Sequence, residues 1–342
     1  MARIRAQATA IASAAAVCLT VAACTGGGPV TSAPTTSSSG TQAAQSARAS
    51  AGSGTGTEQA RTASAPCTSS SALIVGVKVD QYGTGWLDVR TYTNEGFDID
   101  VANHISQTVF HLQDPDFLPV SSATRAPALA SCAIRYFVAT YTILPSRQRQ
   151  FAIAGPYLVT YQGVMLGPDS PDITKPNQLV GKRVCVVGGG SQAQNVLDQF
   201  VPGAIAVPEG AYSTCLTQLR LGNVDAFSTD LAILYGYLNE PGLTGFRIVK
   251  GLVIGDPIYY GIAFRKSDQK LCQETAQVLE NWTQSAEWAG DLQETLGNYV
   301  ADQALYPEGL QPTYQEIAAN SCVNPPPAGL FGPIARSSVD TS

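Results

Sequence analysis

Thr140, Thr142 and Arg147 are the residues whose types and spacing best suit the binding of an anion. They lie at the end of an apolar run over 134–139 that only Arg135 interrupts. In an open parallel sheet, ligands sit just beyond the carboxyl ends of the strands. Two hydroxyls and a guanidinium there would form a small clamp, because arginine's planar fork grips a carboxylate through two parallel hydrogen bonds. The same residues equally suit a Thr-rich strand end with a surface arginine.

The elements that must position this clamp alternate between strands and helices. Residues 71–79 are a continuous apolar run, the pattern of a buried parallel strand. A Gly-rich loop with Tyr82 and Trp86 follows, then a helix from Gly96 to about Val109 with Asp98 suited to cap it. A strand near 117–120 and a loop over 122–125 that enters a helix precede the clamp strand. A second unit starts near Gly163, with a strand over 181–187, the turn Gly188 to Ser191 and a helix over 192–200. A helix over 212–221, a strand over 223–230 running into a helix over 231–238, a strand over 258–264 and two C-terminal helices complete the pattern. Alternation of this kind twice over predicts two α/β lobes.

The N-terminus has the features of an export signal. Arg3 and Arg5 precede an uncharged run over 8–23, too short for the ~20 residues of a spanning helix. It ends in Val21-Ala22-Ala23-Cys24, which resembles a bacterial lipobox and marks Cys24 for lipidation after removal of residues 1–23. Residues 24–66 are a Ser/Thr/Gly-rich linker that cannot bury enough surface to order itself. Such a tether has a root-mean-square reach of about 35 Å. Residues 324–342, with three consecutive prolines, are expected to be disordered.

A formal charge of −6 gives no basic footprint for nucleic acid. Two histidines, His104 and His111, and no CxxC pair argue against a bound metal, and no other cofactor is implied. Beyond Cys18 and Cys24, six cysteines remain, which permit 15 disulfide connectivities.

In order along the chain, Val75-Gly-Val-Lys78, Gly96-Phe-Asp-Ile-Asp100, Ser122-x-x-Arg125, Thr140-Tyr-Thr-Ile143 with Arg147, and Ala154-Gly-Pro-Tyr157 form one set of motifs. Leu179-x-Gly-Lys-Arg-Val184, Val224-Asp225-Ala with Asp230, and Tyr260-Gly-Ile-Ala263 continue it. Together they resemble the bacterial extracellular solute-binding proteins of the polar amino-acid class (family 3), within which the chain is similar to glutamate/glutamine-binding lipoproteins of ABC-type importers. The resemblance implies a two-lobed, type II periplasmic-binding-protein-like α/β fold, its lobes joined by two crossing strands. Residues 67–160 and 258–323 would form lobe one, and 161–257 lobe two. Thr140, Thr142 and Arg147 match positions that hold a ligand's α-carboxylate and neighbouring polar groups. Ser191 matches their second-lobe partner at a helix start, and Asp230 the acid that meets the α-ammonium. Lys78 and Arg125 match positions that meet a distal carboxylate, so glutamate or aspartate is expected, and Ser122, from the same motif as Arg125, is a further ligand-binding candidate. For Ser191 and Asp230 the plainer reading is a helix cap.

The resemblance also pairs Cys67 with Cys132, Cys185 with Cys215, and Cys272 with Cys322. It implies a monomer on the extracellular face of the cell membrane, held by its lipid anchor and partnered by an integral-membrane permease. A ligand sensor, or a dehydratase-type enzyme on the same fold, are the alternatives. Three departures stand out. Cys132-Ala-Ile-Arg135 occupies a place where the family has Gly-x-Val-Asp, and Gly190 replaces a common Ser or Thr. Tyr82 and Trp86 both lie near the place of an aromatic that packs on the ligand's aliphatic stem.

Overall fold

Residues 73–324 are described in the structure, a computed structural model. The leader, Cys24, the linker, Cys67 and the Pro-rich tail lie outside the described residues. In chain order, the first half comprises β1 (Ile74–Val77), β2 (Asp80–Gln81), β3 (Gly85–Asp88), β4 (Thr93–Glu95), α1 (Phe97–Val109), β5 (Asp116–Pro119), α2 (Arg125–Ala130), β6 (Tyr136–Thr142), α3 (Pro145–Gln148) and β7 (Phe151–Leu166). The middle comprises β8 (Arg183–Val187), α4 (Ala193–Phe200), β9 (Ile205–Glu209), α5 (Tyr212–Arg220), β10 (Ala226–Asp230), α6 (Leu231–Leu238) and β11 (Arg247–Ile248). Then come β12 (Ile254–Arg265), α7 (Gln269–Trp282), α8 (Ala286–Asp302) and α9 (Tyr314–Asn320).

The principal sheet runs β5-β1-β6-β12-β7-β10-β8-β9, with β11 on β7. Each end of it is a parallel trio, β5-β1-β6 and β10-β8-β9, which is why β1 and β8 are continuous apolar runs. Two antiparallel strands join the trios. β7 pairs with β12 from Phe151 to Gln162 and with β10 from Gln162 to Met165. Gln162 is the handover residue: its buried side chain donates to the Ala193 carbonyl and to Ser228 Oγ on the second side. The architecture is therefore a two-lobed α/β fold with crossing strands.

Several local expectations need correction. The clamp strand runs to Thr142, so both threonines lie inside it. The Gly-rich loop forms most of a small antiparallel sheet, β2-β3-β4. Asp98 does not cap α1. Gly96 occupies the cap position without a side-chain bond, and Asp98 is buried in the core. Cys132 adopts φ +65°, the left-handed turn that glycine ordinarily supplies, so the loop before β6 keeps its shape without one. Arg135 meets Asp268 at 3.5 Å. Disulfides join Cys185 to Cys215, clamping α5 to β8, and Cys272 to Cys322, tying α7 to the segment after α9. Cys132 is also disulfide-bonded.

Candidate ligand cleft

The first wall is built where β1, β6, α2 and α3 end or begin. Lys78, just past β1, is buried and donates from Nζ to Ser122 Oγ at 2.8 Å. Thr140 is held at φ +46°, an unusual conformation for a β-branched residue. Such strain persists only where the surroundings over-determine it, and here three contacts do so. Its N–H donates to Asp98 Oδ2 at 2.8 Å, its Oγ1 shares a hydrogen bond with the Gln81 side chain, and its carbonyl accepts from Arg125 Nη1 at 3.3 Å. Asp98 also accepts from the Tyr157 hydroxyl at 2.7 Å. The buried carboxylate therefore pins the end of β6.

Arg125 and Arg147 share an aromatic floor. Their guanidinium carbons lie 4.6 and 4.2 Å from the ring centre of Tyr141, close enough for cation–π attraction. Phe137, two strand periods earlier on the same face, holds that ring edge-on at 4.8 Å. Arg125 Nη1 also donates to the Ala139 carbonyl, while Arg147 Nη1 donates to the Thr142 carbonyl at 2.8 Å. Arg125 Nε is buried without a hydrogen-bond partner.

The second wall is the Gly188–Ser191 turn between β8 and α4, the end of β10 and the start of α5. The Gly190 carbonyl accepts from Arg125 Nη2 at 3.1 Å and from Arg147 Nη2 at 2.6 Å. Gly190 has φ +101°, and a Cβ there would lie 2.5 Å from the Ser122 carbonyl oxygen. The absent hydroxyl of this position thus has a steric cause, since the turn docks directly on the first wall. Ser191 Oγ accepts from the Ala193 N–H at 3.2 Å in a local turn, while Gln192 holds the cap position of α4 without a side-chain bond, so Ser191 is not the cap itself. Asp230 precedes α6 but makes no side-chain cap. Its Oδ2 accepts from the Tyr260 hydroxyl at 2.6 Å.

The electrostatics follow from burial. Lys78 is pushed down to about 7, first by burial and then by Arg125. Burial and Arg125 likewise bring Arg147 to about 10. Burial raises Asp230 to about 6, against the pull of the Tyr260 hydroxyl and of the three cations. Asp98 is also raised by burial to about 6 despite its two donors. Positive charge crowded in this way favours a bound anion.

Lys78, Ser122, Arg125, Thr140, Thr142, Arg147, Ser191 and Asp230 all fall on these two walls. They do not all present their side chains as expected. The Thr140 hydroxyl is engaged by Gln81, and Thr142 contributes its carbonyl. Gln81, Asp98, Tyr141, Tyr212 and Tyr260 are further residues of the cleft. Tyr141 carried a signal, lying between the two threonines and so on the opposite face of β6. Tyr82 and Trp86, 5.5 Å apart, instead line an open groove of about 850 Å³ with Glu95, Asp100, Asp291 and Glu294. Among the described residues, no group of three or more His, Cys, Asp or Glu could hold a metal.

The chain is 32% identical over 246 residues to the glutamate-binding protein GluB of Corynebacterium efficiens, covering 69% of this chain and 81% of that one. It is 30% identical to the ABC transporter glutamine-binding protein GlnH of Bacillus subtilis, covering 59% and 72%. Among solved structures, an ancestral arginine-binding protein bound to glutamine matches with a TM-score of 0.59 at 26% identity, covering 66% of this chain and 98% of that one. The model of the bacterial extracellular solute-binding proteins, family 3, matches residues 73–296. The chain belongs to that family, and is a solute-binding protein and not an enzyme.

Proposed function

We propose that this protein captures glutamate or aspartate between its lobes and delivers it to an ABC-type permease, while anchored to the outer face of the membrane through Cys24. The observation that carries the ligand class is the charge of the cleft. Lys78, Arg125 and Arg147 are buried within electrostatic reach of one another and of Asp230. A zwitterionic backbone would engage Arg147 and Asp230, and Asp98 and Asp80, held within the walls by the Thr140 and Tyr212 N–H groups, would be left to face Lys78 and Arg125. A second carboxylate on the ligand would meet these two cations directly.

In this reading Arg147 holds the α-carboxylate, aided by the polar end of β6 and by the Gly190–Ser191 turn with its helix start behind it. Asp230 receives the α-ammonium. Lys78, Ser122 and Arg125 meet the distal carboxylate. The ligand would take over as acceptor for donors now on the Gly190 carbonyl, so a direct contact between the walls would give way to one that the ligand bridges. The 32% identity to a glutamate-binding protein supports the same ligand class.

Isothermal titration of the delipidated protein with glutamate, aspartate, glutamine and asparagine tests the reading. Glutamate or aspartate should bind at least about 10-fold tighter than its amide, as expected from ~1.4 kcal/mol of unmatched charge. Equal affinity for acid and amide would overturn it. Detergent partitioning of wild type and Cys24→Ala, with mass spectrometry of the mature N-terminus, tests the anchor. An unmodified chain beginning elsewhere would refute it.

A further inference from the structure

We infer that Tyr212 sets the length of ligand side chain that the cleft accepts, an inference that rests on the acidic-ligand reading above. Tyr212 is the first residue of α5 and is buried. Its ring centre lies 5.0 Å from Lys78 Nζ, and its hydroxyl lies 3.4 Å from Ser122 Oγ, the atom to which Lys78 donates. The second wall therefore places an aromatic residue against the lysine and serine assigned to the distal carboxylate. Burial and the Asp230 carboxylate push the Tyr212 hydroxyl up, which places the ring within the field of the cleft.

Two further contacts keep the ring in place. The Tyr212 N–H donates to Asp80 Oδ2 at 2.9 Å, so a carboxylate of the first wall grips the start of α5. One helical turn on, Cys215 is disulfide-bonded to Cys185 in β8, the strand that leads into the Gly188–Ser191 turn. A retreat of the ring by a shift of α5 is opposed by the bridge and the Asp80 contact. A ligand carboxylate that reaches Lys78 is thus confined by a wall with little freedom to retreat.

Titration calorimetry with glutamate and 2-aminoadipate, which is one methylene longer, measures the limit directly. Wild type should favour glutamate by about 10-fold or more, the usual consequence of one misfitted methylene in a defined pocket. Tyr212→Ala should narrow that ratio to within about 3-fold, because the space vacated by the ring admits the extra carbon. Tyr212→Phe keeps the ring and should keep the ratio. Should the alanine variant fail to fold, Tyr212→Leu removes the flat ring while retaining apolar bulk, and should narrow the ratio in the same direction.

The ratio separates a selective wall from a purely structural role, which would weaken both ligands equally. An unchanged ratio in the folded alanine or leucine variant overturns the inference alone, as does wild type binding both acids equally. If wild type binds no dicarboxylic amino acid, the inference falls together with the ligand assignment.

Discussion

Arg125 and Arg147 converge on a single carbonyl oxygen. Their Nη2 atoms lie 3.1 and 2.6 Å from Gly190 O, and both guanidinium groups rest on the Tyr141 ring. Two like charges are thus held side by side by one dipole and one π-face. This unbalanced arrangement is suited to accepting a carboxylate, and the roles of the two arginines within it are separable.

Arg147→Ala should weaken binding of every amino acid tested. It removes a charge-assisted contact to the group that all of them share, and truncating one partner of such a pair costs ~2–5 kcal/mol. Calorimetry across a panel of amino acids reads this, and intact affinity would show that the α-carboxylate lies elsewhere.

Arg125→Ala and Lys78→Ala should act selectively. Both residues are assigned to the distal carboxylate, so glutamate should lose much more affinity than glutamine, narrowing a preference of about 10-fold or more. Equal losses for acid and amide would remove the two residues from the specificity pocket.

Binding should move protons in opposite directions at two pH values. Lys78 sits at about 7, so near pH 8 it is mostly neutral. A carboxylate placed beside it favours the charged form, and binding takes up a proton. Asp230 sits at about 6, and a ligand ammonium favours its ionised form. Near pH 5.5, binding therefore releases a proton. Titrations in buffers of different ionisation enthalpy give both numbers, and the uptake at pH 8 should be smaller for glutamine. A binding heat independent of buffer at both pH values would contradict the assignment.

Gly190→Ala should impair closure. The added Cβ meets the Ser122 carbonyl oxygen at 2.5 Å, and the residue would be held at φ +101°. Affinity should fall for all ligands, and the radius of gyration by small-angle scattering should contract less on saturation with glutamate than it does for wild type. Wild-type affinity and contraction would show that the turn adapts.

Much of this was legible in the sequence because it is local. The alternation of apolar runs and helices identifies the lobes, and strand-end polar residues such as Thr140, Thr142 and Asp230 are visible as departures from that pattern. Asp98 was not legible, because at a helix start a carboxylate looks like a cap. Only the approach of Thr140, 42 residues later, shows it as a core acceptor. Gly190 looked like the loss of a hydroxyl until the second wall met Ser122. Tyr212 stands in an ordinary amphipathic helix, and nothing near it in sequence foretells a lysine 134 residues earlier. These are lateral relationships between distant segments, and no periodicity encodes them.

The sheet order also governs how the chain can be completed as it is made. β10, β8 and β9 close against the end of β7 within one contiguous stretch, so the second lobe can pair its strands once they have emerged. β6 cannot. Its inner neighbour is β12, whose first residue is Ile254, more than 100 residues beyond Thr142. Until that strand arrives, β6 presents an unpaired apolar edge, the kind of surface that invites association between chains. Residues 254–265 thus serve as a late-arriving keystone. A chain interrupted just before them would hold a second lobe lacking only its last core residue, Ile254, beside a first lobe that cannot seal.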